Sequence, residues 1–138
     1  SDRNILAVQA IHEDSLLVRR MPDWQTLAIG WSELQLLPAR WRQSLGQWRG
    51  LYYIFDTKTG KGYVGSAGGS ENLLGRWTHY AANGHGGNRL LRALDPETFV
   101  FSILQRVSPD TDSTELVRIE NQWKTRLHSR APFRLNDN

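Results

Sequence analysis

Two β-forming runs set about a short turn limit the folds open to this chain. Leu51 to Phe55 is aromatic and β-branched, and Gly62-Tyr63-Val64-Gly65 reads as a returning strand. Between them, Asp56-Thr57-Lys58-Thr59-Gly60 is turn chemistry: Asp bonds to its own backbone and Gly reaches positive φ without steric cost. The segment is read as an antiparallel hairpin with a longer loop. Phe99 to Leu104 supplies a third strand. Helices are predicted over Glu71 to Ala82, from about Asn88 to Leu94 where Asp95-Pro96 stops it, and from a capping box of Asp112 and Glu115 to about Leu127. Glycine-rich connectors at Ser66 to Ser70 and Asn83 to Gly87 join these elements, and Pro132 ends the regular structure.

The part before Gly50 has a different grain. Ile5 to Val8 and Leu16 to Val18 read as short strands around His12-Glu13-Asp14-Ser15, and Leu27-Ala28-Ile29-Gly30 follows. Ser32 with Gln35 has capping-box spacing, and Leu34, Leu37, Trp41 and Leu45 recur at helical intervals. Pro38 divides that pattern into two short helices. Four of the six tryptophans fall here (Trp24, Trp31, Trp41 and Trp48), and they read as packing more than as a base-stacking platform.

A chain of 138 residues has room for one ordinary domain and a small appendage. With 39% hydrophobic and 22% charged residues it belongs among folded chains, not disordered ones. The absence of cysteine excludes a disulfide framework, a thiolate zinc site and a cysteine nucleophile. No apolar run approaches a membrane span and no signal-peptide core opens the chain, which points to the cytoplasm. The net charge of +3 permits a nucleic-acid partner without demanding one. A start at Ser1-Asp2-Arg3, with Met21 as the single methionine, leaves room for further domains of a longer native chain.

Glu120 gives the strongest purely physical signal. Leu116, Ile119, Trp123 and Leu127 form the core-facing stripe of the last helix, and Glu120 falls at the edge of the same arc. A carboxylate there is costly unless paired, hydrogen-bonded or metal-bound. A peripheral glutamate reaching solvent or salt-bridged to an arginine is the more ordinary account, so position alone makes Glu120 a candidate. On the helix from Glu71, Leu73, Trp77 and Tyr80 share a face with Arg76 on its flank and His79 further round. Arg76 could hold a phosphate through its planar fork or be a solvated surface charge. Tyr52, Tyr53 and Tyr63 are good strand formers explained by packing alone. The glycine-rich stretch Gly65 to Gly69 lacks the Lys-Ser/Thr ending of a phosphate-binding loop.

Taken together, these residues carry a resemblance. Gly50-Leu51-Tyr52 followed by Tyr63-Val64-Gly65 resembles the paired signature of the GIY-YIG nuclease superfamily, with Leu51 and Val64 in place of the nominal isoleucines. Arg76 stands on the next helix as the family's arginine does, Tyr80 sits one turn later, and His85 lies in the following loop. Glu120, in Glu120-Asn121-Gln122-Trp123, matches the metal-binding glutamate, and Asn136 falls at the C-terminal asparagine. The resemblance spans about residues 49–138. It implies an α+β fold, with a small three-stranded antiparallel sheet flanked by helices, over residues 49–138. Residues 1–48 form an N-terminal extension read as a structural brace.

The activity so implied is hydrolysis of DNA phosphodiester bonds with a single divalent cation, magnesium or manganese. Glu120 would ligate the metal, Arg76 would neutralise the scissile phosphate, and Tyr52 and Tyr63 would orient or deprotonate the attacking water. Tyr80 and His85 would assist through hydrogen bonds or proton relay, and Asn136 would brace Glu120 or the backbone around it. A tyrosine acting as base would need a depressed pKa or a proton passed onward, since its ordinary value is about 10. Lys61, Ser66, Asn88, Arg89 and Arg92 are candidates for contacts with the nucleic-acid backbone. The rival expectation is a module that keeps the fold and binds nucleic acid without cutting it.

Overall fold

The computed structural model describes residues 20–131 and 134–138. The strands expected at 5–8 and 16–18 lie outside the described residues. In chain order the elements are β1 (Ala28–Gly30), α1 (Trp31–Leu34), α2 (Ala39–Gln47), β2 (Arg49–Asp56) and β3 (Lys61–Ala67). After these come α3 (Leu73–Asn83), α4 (Arg89–Arg92), a 3₁₀ turn (Pro96–Thr98), β4 (Phe99–Val107) and α5 (Ser113–Leu127). The fold is α+β, with an antiparallel sheet in the order β1-β4-β2-β3.

That sheet has four strands, not the three expected. The added edge strand is β1, which pairs Ala28 with Ser102 and Gly30 with Val100. Its alternation is real, with Leu27 and Ile29 buried and Ala28 exposed. Three residues are too few for a period-two signal, so only the pairing with β4 reveals it. A second correction concerns Ser32 and Gln35. The helix starts earlier, with Gly30 at its N-cap, and the Gly30 N–H donates to Glu33 Oε1 at 3.2 Å. Ser32 therefore lies inside the first turn. Pro38 does divide the two helices, immediately before α2, where its missing N–H leaves no bond unmade.

Other helix signals act where the sequence places them. Asp112 Oδ1 accepts from Glu115 N at 2.8 Å and starts α5, and Asn72 Oδ1 accepts from Gly75 N at 2.8 Å and starts α3. Gly84, at φ 82°, closes α3 in the left-handed conformation.

Register sorts the side chains into two layers. Tyr52 and Ile54 share a sheet face with Phe99, Phe101 and Ile103. Against them pack Leu73, Trp77 and Tyr80 of α3, together with Leu34, Trp41 and Leu45 of α1 and α2. Leu51 and Val64 point to the other face and are buried, and α5, which packs on β3, buries Ile119. Trp24, Trp31 and Trp48 pack partly buried against the main core. No described helix is long and apolar enough to cross a membrane.

Candidate active site

Both glycines of the two signature triplets are required by close approach. A Cβ at Gly65 would lie 2.3 Å from Cζ of Tyr52, whose ring crosses β3 at that point. A Cβ at Gly50 would lie 2.2 Å from the carbonyl oxygen of Gln105, beside the β-bulge between Leu51 and Tyr52. Tyr52 is thereby seated on an inner strand, inaccessible to solvent. Its hydroxyl lies 2.9 Å from that of Tyr80, and its ring meets Trp77 and Tyr80 edge-on.

Tyr63 is one strand over, on the face shared with Tyr52, and its hydroxyl neighbours those of Tyr80 and the Glu120 carboxylate. Arg76 precedes Tyr80 by one helical turn; its guanidinium carbon is 6.0 Å from the Tyr80 ring centre and faces the Tyr52 hydroxyl. Arg76 Nε is shielded from water without a hydrogen-bond partner, and its nearest carboxylate oxygen, Glu71 Oε2, is 3.7 Å away. The sequence elements thus bring Tyr52, Tyr63, Arg76, Tyr80 and Glu120 to one place beside β3.

The electrostatics of this cluster run against tyrosinate. Burial pushes the Tyr52 hydroxyl up to about 12; Tyr63 adds to the rise, while Arg76 and the bond to Tyr80 oppose it. Tyr63 is also raised, by burial first and then by Tyr80 and Glu120, against the pull of Arg76. Tyr80 is raised by burial and by Tyr52, again opposed by Arg76. For Arg76 itself, burial disfavours the charge, but Tyr52, Tyr80 and Glu71 outweigh burial and raise its pKa. The depressed tyrosine pKa that a tyrosinate base requires is absent from all three.

Glu120 is one-fifth exposed, and its Oε2 lies 2.9 Å from Nζ of Lys124, a side chain only 3% exposed. Lys124 Nζ also donates to Asn138 Oδ1 at 3.0 Å. Lys124 was not singled out from the sequence, although a Glu with Lys four residues later on a helix is a legible pairing signal. Trp31 was read only as packing; its Nε1 donates to the Tyr80 carbonyl at 2.7 Å, a link across 49 residues with no local sequence trace.

The remaining candidates are dispersed. Asn136 is buried and spans Val64: its Oδ1 accepts from Val64 N at 2.8 Å and its Nδ2 donates to Val64 O at 2.9 Å. It braces the backbone next to Tyr63. His85 Nδ1 accepts from Gly87 N at 2.9 Å within a loop that crosses Tyr80, where a Cβ on Gly86 would meet the ring at 2.8 Å. His79 is exposed, beside a shallow depression lined by Arg76, Glu71 and Asn72. Of the proposed backbone contacts, Lys61 and Ser66 are half-buried on β3, and Asn88 is committed to capping α4 through Leu91 N at 2.8 Å. Arg89 pairs with Asp137 at 2.7 Å, and Arg92 stands exposed at the end of α4.

The donor set fits magnesium better than a softer metal. Glu120 offers one hard oxygen ligand with access to solvent, and magnesium is held by one or two carboxylates with waters and phosphate completing its shell. Among the described residues no group of three His, Cys, Asp or Glu assembles. Compared with protein-family models, curated proteins and solved structures, the chain gives no match.

Proposed function

We propose that this chain is a magnesium-dependent DNA endonuclease of the GIY-YIG type, hydrolysing phosphodiester bonds at the cluster beside β3. The observation that carries the reading is Arg76. It is a cation whose shielded Nε has no hydrogen-bond partner and only the Glu71 carboxylate 3.7 Å away, set among the hydroxyls of Tyr52, Tyr63 and Tyr80. A buried donor without a partner costs about 1–3 kcal/mol, which an incoming phosphate oxygen would relieve. Three hydroxyls, a guanidinium and a carboxylate suit phosphodiester chemistry, in which positioning and charge neutralisation supply most of the rate.

In hydrolysis, a water oxygen bonds to phosphorus as the bond to the leaving oxygen breaks; one water proton passes to solvent, the leaving oxygen takes a proton from solvent, and negative charge grows on the phosphate oxygens on the way. Arg76 offsets that charge. Tyr63, whose hydroxyl feels the Glu120 charge, orients the attacking water as a neutral donor and acceptor. Tyr52, fully enclosed and bonded to Tyr80, fixes the geometry of the pair and takes no proton itself. Glu120 would hold the divalent cation, which supplies Lewis-acid stabilisation of the phosphate when bound. Asn136 keeps the Tyr63–Val64 backbone in register.

Incubating plasmid, branched and single-stranded DNA with the protein in magnesium or in EDTA tests this. Nicking that requires magnesium and falls at least a hundredfold in Glu120→Ala and Arg76→Ala is expected, about the loss typical for one transition-state contact. Undiminished cutting by Glu120→Ala would mean that this site is not the catalyst. Binding without any cutting would favour the non-catalytic module.

A further inference from the structure

Beyond the cluster beside β3, positive charge gathers towards the end of the chain. The segment from Ser113 to Arg134 carries five Lys or Arg side chains against two Glu, a surplus of three that equals the net charge of the whole chain. Its centre is a cleft of about 490 Å³ lined by Lys124, Thr125, His128, Arg130 and Arg134, with no Asp or Glu in the wall. Through Thr125 it continues into a depression along the exposed side of α5 between Arg118 and Arg126.

The cleft is preorganised. Arg130 donates from Nη1 to Thr125 Oγ1 at 2.8 Å and from Nη2 to Asn121 Oδ1 at 3.3 Å, so its guanidinium is fixed without an Asp or Glu side chain among its partners. His128, at φ 53°, turns the chain back after α5 to form the second wall. On its inner side the cleft reaches Lys124, whose ammonium touches Glu120. Basic residues in a last helical turn also complement the helix dipole. That accounts for Lys124 and Arg126 but not for Arg130 and Arg134, which lie beyond the helix.

We propose that this cleft is a phosphate subsite, holding the backbone of the bound nucleic-acid strand next to the phosphate that Arg76 would neutralise. The inference rests on the endonuclease reading for its occupant. The fixed Arg130 guanidinium suits phosphate oxygens, and the Lys124–Glu120 pair sets the cleft beside the candidate site.

The test is fluorescence anisotropy of an end-labelled DNA duplex over a range of salt, without magnesium, using the whole protein. An Arg130→Gln/Arg134→Gln double variant is expected to bind at least tenfold more weakly. Its log–log salt slope should fall by about two, near one unit per lost phosphate contact. Because Arg130 buttresses the end of α5, Thr125→Glu is run beside it; that side chain is exposed and should weaken binding as much while preserving the circular dichroism spectrum. Arg40→Gln, exposed on α2, should stay within twofold of wild type. Equal binding by wild type and both cleft variants would overturn the subsite and leave the endonuclease reading standing. Variant-sensitive binding without magnesium-dependent nicking would sink the endonuclease reading and keep the cleft as a nucleic-acid surface. Should a polyglutamate peptide bind as tightly and be lost in the same variants, the occupant would be an acidic protein segment and the proposal would fail.

Discussion

Tyrosine is the residue around which the candidate site is built, and its ionisation is directly measurable. All four tyrosines of the chain, Tyr52, Tyr53, Tyr63 and Tyr80, have hydroxyls raised above the ordinary value, with burial the leading cause in each. An unfolded chain loses these protons near pH about 10, whereas the native protein keeps them. Above that pH the unfolded state binds fewer protons than the native one, so stability falls as pH rises. The contribution is complete below pH about 10 and drains away through about 12, where Tyr52 ionises. Ultraviolet titration should therefore show at most one tyrosine, the half-buried Tyr53, ionising near pH 10 while the far-ultraviolet spectrum stays native, and Tm should decline only on the alkaline side. A native-state step of more than one tyrosine near pH 10 would mean that the cluster hydroxyls are not enclosed.

At the scale of elements, β3 is an edge strand that carries Tyr63, and its outer backbone is closed by Leu135, whose N–H donates to Gly62 O at 3.3 Å, and by the Asn136 side chain. Asn136 takes both the N–H and the C=O of Val64, far from any solvent substitute. Asn136→Ala would leave two buried backbone groups unsatisfied, so a loss of about 2–4 kcal/mol by urea denaturation is expected, with faster hydrogen exchange at the Val64 amide. A loss under about 0.5 kcal/mol would mean that water replaces the amide. The sequence made elements of this kind legible where the signal is local. The hairpin turn, the Asp112 cap and the break at Pro38 each depend on a few adjacent residues, and each has its structural counterpart. Long-range dependence was not legible. β1 exists through pairing with residues 70 or more positions away, and the Tyr80 carbonyl is satisfied by Trp31. Glu120 was singled out by its place on the helical arc. Its partner Lys124 went unnoticed because a lysine at such a position normally carries its charge to solvent, and this one is buried.

For the whole molecule, the division at residue 48 falls between α2 and β2, yet the core runs across it. Leu27, Ile29, Leu34, Trp41 and Leu45 are at most 6% exposed and pack with Tyr52, Trp77, Tyr80 and Phe101 in a single cluster. Burying one such side chain contributes about 1.5–3 kcal/mol, so five amount to roughly 10 kcal/mol. That is comparable with the entire stability of a domain this size, about 5–15 kcal/mol. Removing them would also strip β1 from β4 and leave that edge unpaired. A chain beginning at residue 49, although it contains every residue of the candidate site, should therefore lack the near-ultraviolet dichroism of fixed aromatic side chains and melt without a cooperative transition. The full chain should unfold in one sharp step. If the shorter chain melts cooperatively and cuts DNA, residues before 49 are dispensable to the core. The buried contacts of Ile29, Trp41 and Leu45 argue for the opposite outcome, because the tyrosine cluster rests on the same layer that those side chains complete.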